Sequence, residues 1–167
     1  MRSTCLMIYR VCITFWLGAA LFFSAVALKP IRSLEIEAAM RPRLALILFP
    51  GYYEWGLSLL TISLVAGGFT LFGLPAIAGK RRFQISVICA ILALACQIGD
   101  RLFIYSHLAR MMAEVIESET FSARFRSYHV ASISINVVMA SLTLISALLA
   151  CWPTAGEAAA LNSQLPA

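Results

Sequence analysis

Long apolar runs constrain this chain more than any other feature. Residues 8–28, 50–74 and 128–151 are apolar almost throughout, and a fourth run starts near residue 83 and reaches about residue 105. The hydrocarbon layer of a bilayer is ~30 Å thick and takes ~20 helical residues to cross. No water reaches the backbone there, so each run has to close its own hydrogen bonds as a helix. The expected fold class is therefore all-α, an integral membrane four-helix bundle. Composition agrees: 61% of residues are hydrophobic and 13% charged, where a soluble domain has about half and about a quarter. The formal charge of +5 is no nucleic-acid signature. The basic residues flank the apolar runs, as membrane anchors do.

Punctuation between the runs divides the chain into a four-span domain, residues 1–153, and a flexible tail, residues 154–167. Arg10 lies near the start of span one and can snorkel to the headgroups. Pro30 ends that span. Residues 29–48 mix charges with apolar residues, which suits an amphipathic helix lying at the interface between spans one and two. Pro50 suits the first turn of span two. Tyr52, Tyr53 and Trp55 then read as an aromatic belt, and Glu54 as an anion favoured by the helix dipole. Ser63 and Gly67 form a small-xxx-small pair, where another helix can come close. Span three, about 83–105, extends as helix to about residue 117, its second half leaving the membrane. Five cysteines without a CxxC pair give no support to a zinc ribbon or a disulfide framework.

Two polar stripes stand out inside these spans. In "FRSYHVASISIN", residues 125–136, His129, Ser132 and Asn136 share one helical face. In span three Cys89, Cys96, Asp100 and His107 fall within about 20° of one line. Cys96, Asp100, His107 and His129 have the chemistry of metal ligands. Cys96 and Asp100, ~6 Å apart along the axis, are close enough to share an ion. The plainer reading is a packed seam. Ionisable groups at membrane depth usually face the bundle interior, so Asp100 and Arg101 are expected there with Gln97, Glu54, His129, Ser132 and Asn136. Asp100 ends an apolar run, and an ion pair with an arginine is the expected way of offsetting its burial. No nucleophile–base pair and no phosphate-binding glycine loop occurs, so no catalytic residue is assigned.

Three short segments resemble the transmembrane protein 205-like family, small four-helix membrane proteins of undefined biochemistry. Phe125, His129, Ser132 and Asn136, spaced F-x-x-x-H-x-x-S-x-x-x-N, are similar to its final helix. "FWLGAALFFSAVALKPI", residues 15–31, resembles its first, and "LFPGYY", residues 48–53, the entry to its second. The likeness covers about residues 8–150. Loop one, short and charged, departs from the pattern. So does Val130, where a small residue is usual. The resemblance implies the four-helix fold and no enzyme activity.

Three functional classes fit these features. The leading one is a non-enzymatic polytopic membrane protein handling a metal or small solute through its polar interior. The second is an accessory subunit packed against a larger membrane complex, or a homo-oligomer. The third is a haem- or metal-binding redox protein using His107 and His129. No cofactor is specified by the residues themselves. Four spans put both termini on one side. Five basic residues lie on that side and seven on the other, which leans toward termini outside; the dense cluster Lys80, Arg81 and Arg82, packed into the shortest loop, leans the other way, and termini inside are expected on that ground. The expected location is a plasma (inner) membrane. Span one also ends in "AVA", residues 25–27, a signal-peptidase-like site. Its apolar stretch is long for a cleaved signal, so it is expected to stay attached. Intact-mass analysis of membrane-extracted protein should find residues 1–28 still present, and a new N-terminus at Leu28 would leave only three spans.

Overall fold

A computed structural model describes residues 2–33, 37, 40–72, 80–118 and 123–152. The described chain is helical nearly throughout: α1 (Arg2–Phe22), a π-helical segment π1 (Phe23–Ala27), α2 (Lys29–Arg32), α3 (Met40–Phe72), α4 (Lys80–Gly99), a second π segment π2 (Asp100–Tyr105), α5 (Ser106–Ser118) and α6 (Ala123–Cys151). Four stretches are long and apolar enough to span: Ser3–Ile31, Met40–Phe72, Lys80–Glu114 and Arg124–Cys151. α1 lies along α3, and α4 along α6. α3 also packs on α4, and α1 on α6, which closes a ring of four.

The ring is built from small and polar residues at three- and four-residue spacing. α3 buries Tyr53, Gly56, Leu60, Ser63, Gly67 and Thr70. α4 buries Phe83, Ser86, Ala90, Ala93 and Gln97. α6 turns Ser132, Met139, Thr143, Ser146 and Ala150 inward, and α1 turns Tyr9, Ile13, Trp16 and Ala20. The large apolar side chains mostly point out, Phe15, Phe69 and Val137 among them, each more than 60% exposed. A water-soluble bundle would have this arrangement reversed. Facing lipid, outward apolar residues cost nothing, and helices associate through close packing and hydrogen bonds. Tyr9 shows how. Its ring lies over Gly67 and edge-on to Phe83 at 5.1 Å. Its hydroxyl is 2.8 Å from both Ser86 Oγ and Ser146 Oγ. The two serines also donate to each other's carbonyls at 2.8 and 2.9 Å. One tyrosine thus ties α1 to α4 and α6.

Two arginines mark one end of this body. Arg10 Nε donates to the Ala150 carbonyl at 2.7 Å and Arg82 Nη2 to that of Trp152 at 2.6 Å, capping the C-terminus of α6. Nineteen residues on, about 28 Å at 1.5 Å per residue, stand Lys29 on α2 and Arg101 on π2. That span matches the thickness of a hydrocarbon layer. Beyond it the helices continue into a collar with its own apolar cluster. Ala45, Leu108 and Met112 are buried there, with Phe49, Ile104 and Phe125 packed around them.

The connection between spans one and two differs from the expectation. Among the described residues no separate interfacial helix occurs there; α2 is a single turn, and residues 40–48 already belong to α3. Residues 34–36, 38 and 39 lie outside the described residues, as do 153–167, where the tail was expected. Consequently Pro50 sits inside α3 rather than in its first turn. Pro42, two residues past the helix start, takes the N-terminal place a proline tolerates. The helix begins early because Ala45, Leu46 and Phe49 pack into the collar cluster.

The seam between α1 and α3 yields a test. A Cβ on Gly67 would come within 2.9 Å of Tyr9 Cδ2 and 3.2 Å of Val87 Cγ2, whereas one on Gly68 would meet nothing within 4 Å. Tyr9 is held by its serines and cannot swing away. Gly67→Ala should lower stability in mild detergent by about 1–2 kcal/mol through overpacking. Gly68→Ala should be neutral or raise it by up to ~1 kcal/mol through helix propensity. Melting curves of the two variants check the contrast.

Candidate functional site: a buried carboxylate between three spans

Asp100 opens π2. The π turn carries one more residue per hydrogen-bonded loop than an α turn, a feature frequent at functional positions. Here it leaves the Asp100 side chain 1% exposed. Oδ2 accepts three hydrogen bonds: from Tyr53 Oη at 2.6 Å, Asn136 Nδ2 at 2.6 Å and Ser132 Oγ at 3.1 Å. Span two thus supplies one donor and span four supplies two. Asn136 is itself oriented. Its Oδ1 accepts from Tyr52 Oη at 2.8 Å, and its Nδ2 also reaches the Ser132 carbonyl at 2.9 Å. Exchanging its O and N would set oxygen against oxygen at Asp100 and Ser132, so the amide direction is fixed by its surroundings. Aromatic rings close the floor and sides. Tyr52 stacks on Phe23 at 4.5 Å, and Tyr53 leans on Tyr105 at 4.9 Å.

The expected ion pair with an arginine is not what holds Asp100. Among the described residues its partners are two hydroxyls and an amide, all neutral. Arg101 follows it in sequence and is half-buried, but is not one of them; neighbours on a helix point ~100° apart. Donors aimed at one oxygen make Asp100 the terminal acceptor of the network, the role of a carboxylate. Each such charge-assisted bond is worth ~1.5–3 kcal/mol.

Around this network several polar atoms lack partners. Asp100 Oδ1, both Oε1 and Nε2 of Gln97, and Trp16 Nε1 are buried without a hydrogen bond among the described residues. Gln97 links these three residues, by sequence to Asp100 and by packing to Trp16. Gln97 precedes Asp100 by one turn. Its Nε2 and the Cη2 edge of Trp16 occupy the space a Cβ on Gly56 would need, the latter at 2.6 Å. Gly56 in turn is one turn from Tyr53.

The other candidates from the sequence fall elsewhere. Glu54 is exposed: with Tyr53 buried, the next residue points outward, and the helix start it was expected to stabilise is at Met40. His129 is exposed too, stacked parallel on Phe125 at 5.8 Å. It sits roughly 60° off the direction shared by Ser132, Asn136 and Met139. His107 is exposed, its Nδ1 2.9 Å from the Phe103 carbonyl and its ring stacked on Tyr128 at 5.3 Å. Cys96 is half-buried against the apolar core, and all five cysteines are free thiols. Among the described residues no three His, Cys, Asp or Glu side chains converge. The metal set Cys96, Asp100, His107 and His129 is therefore not brought together. Conversely, Tyr52 and Tyr53, expected in an aromatic belt, lie at the site, as do Trp16 and Gly56, for which the sequence carried no expectation. The signal was present: Tyr53, Gly56, Leu60, Ser63 and Gly67 recur at three- and four-residue steps, so Tyr53 had to face inward.

No family model, no curated protein and no solved structure matches the chain in comparison with known proteins. What the residues and the fold establish is a small, multi-pass, all-α membrane protein.

Tyr53→Phe deletes the 2.6 Å bond to Asp100 and leaves the ring packing intact. It should cost ~1.5–3 kcal/mol of stability, as for a hydrogen bond to a charged group. Tyr105→Phe, at a half-exposed ring beside it, should cost under ~0.5 kcal/mol. Equal melting shifts for the two would mean that the bond to Asp100 contributes nothing.

Proposed function

We propose that this is a non-enzymatic, solute-handling membrane protein whose binding group is the Asp100 carboxylate. One observation carries the reading: among the described residues Asp100 is buried with only neutral partners, and its Oδ1 has none. A carboxylate placed only for helix assembly needs a counter-charge or saturation of both oxygens. This one has neither. The dense basic cluster Lys80–Arg82 supports termini on the cytoplasmic side of a plasma or inner membrane.

An accessory-subunit role has one supporting observation. A shallow apolar groove runs between α1 and α6, lined by Thr14, Leu17, Leu144, Leu148 and Trp152, and a partner helix could occupy it.

Melting the purified protein in mild detergent against a panel of small charged and neutral solutes separates these readings. At least one solute should raise the melting temperature of the wild type and leave Asp100→Asn unmoved. A ligand at 100 times its Kd stabilises by ~2.7 kcal/mol, a shift of several degrees. A stoichiometric partner copurifying with a protein that responds to no solute would replace this reading with the subunit role.

A further inference from the structure

Resting on the solute-handling reading, we infer that the site takes a monovalent cation, held by Asp100 Oδ1 and Gln97 Oε1, with its hydration water donated to by Trp16. Three features of the site select this class. First, it contains one carboxylate. Among the described residues no group of three or more acidic, histidine or cysteine side chains surrounds it. One positive charge neutralises it, whereas a divalent ion would leave net charge in a low-dielectric interior. Second, the unpartnered atoms are mixed. Two are oxygens, Asp100 Oδ1 and Gln97 Oε1, and two are N–H donors, Gln97 Nε2 and Trp16 Nε1. Oxygens bind a hard cation. The donors cannot, but each can donate to a water oxygen in the cation's shell. Third, Gly56 brings two of these side chains together. With no Cβ there, the Gln97 amide and the Trp16 ring edge can sit against the α3 backbone. Trp16, Gln97 and Asp100 are each 1% exposed, so their polar atoms have no access to bulk water.

A proton on Asp100 is the rival way of neutralising the group. Oδ2 already accepts three hydrogen bonds, so the proton would go to Oδ1. Its candidate acceptor is Gln97 Oε1, and that bond would still leave the Gln97 Nε2 and Trp16 Nε1 donors without partners.

The test uses the full chain in detergent with Trp55→Phe and Trp152→Phe, both at exposed positions, leaving Trp16 as the one indole. Sodium, potassium and lithium chloride are titrated at constant ionic strength against N-methyl-glucamine chloride, with calcium and magnesium in parallel. Trp16 fluorescence and melting temperature are read together. The expected result is a saturable response to at least one monovalent ion. Asp100→Asn should abolish it. Gln97→Leu should weaken apparent affinity about tenfold or more, the effect of losing a contact to a charged group. Glu54→Gln, at an exposed site, should leave it unchanged. A response that survives Asp100→Asn would be general salt screening and would overturn the cation site. A response confined to divalent ions or neutral solutes would overturn the class of ligand while leaving Asp100 as a solute-binding group. If no solute or ion responds and Asp100→Asn melts with the wild type, Asp100 is neutral in the fold, and both readings fall. A higher melting temperature for Gln97→Leu would then identify the interior as packing alone.

Discussion

A carboxylate shut away from water fixes where three helices can stand. Asp100 is acceptable in its position only while Tyr53, Ser132 and Asn136 deliver their donors to it, because an ionised group stripped of hydration is otherwise very costly. That requirement ties α3 and α6 to π2. Tyr52 extends the tie through Asn136, and its stacking on Phe23 brings in π1. The remaining polar network, Tyr9 with Ser86 and Ser146, lies toward the opposite end and locks α1, α4 and α6. Two hydrogen-bonded knots, one at each end, set the register of the bundle. Between them the seam is mostly small residues and alkyl groups, which give contact without direction.

The two parts of the molecule are held by different forces. In the spanning body the large apolar residues face outward, so burial of apolar surface between helices gives little drive; lipid tails offer an equal environment. There, glycine, alanine and serine at the seams allow close approach. In the collar Leu108 and Met112 turn inward with Ala45 and meet Phe49 and Phe125. That is the ordinary hydrophobic arrangement of a domain in water. The collar therefore does for α5 and the ends of α3 and α6 what lipid does for the spans. It also covers the end of the body where Asp100 lies.

The bundle was legible in the sequence because lipid imposes length and polarity rules that single residues cannot hide. Of the polar residues singled out from the sequence, Gln97, Asp100 and Ser132 are buried and Asn136 is half-buried, at helical spacing. What failed depended on where helices begin. Reading Pro50 as a start left residues 40–48 to an interfacial helix and placed Glu54 in a first turn. Either of two prolines could serve as a start, and only the collar contacts of Ala45 and Phe49 choose Pro42. The partner of Asp100 was misjudged for a related reason. Arginine is the obvious counter-charge in sequence, but a phenol, a hydroxyl and an amide from distant helices can together do the same work. Tertiary geometry alone brings them to one oxygen.

The π turn is the feature for which the sequence carried no visible sign, and it explains why one continuous helix can serve both parts. A π turn adds a residue per loop, which rotates everything after it by roughly the 100° of one position. Before it, α4 directs Ala90, Ala93 and Gln97 into the body. After it, α5 directs Leu108 and Met112 into the collar. An uninterrupted α-helix would hold these two faces in a fixed phase set by residue number alone. Placing the change of phase at Asp100–Tyr105 lets each face meet its own neighbours. Asp100 is the first residue of that turn, so the group that orders the interior stands where the helix changes phase. A shift of π2 toward regular α geometry would move the carboxylate and the collar face together. The position of the Asp100 carboxylate and the seating of the collar are in this way mechanically joined.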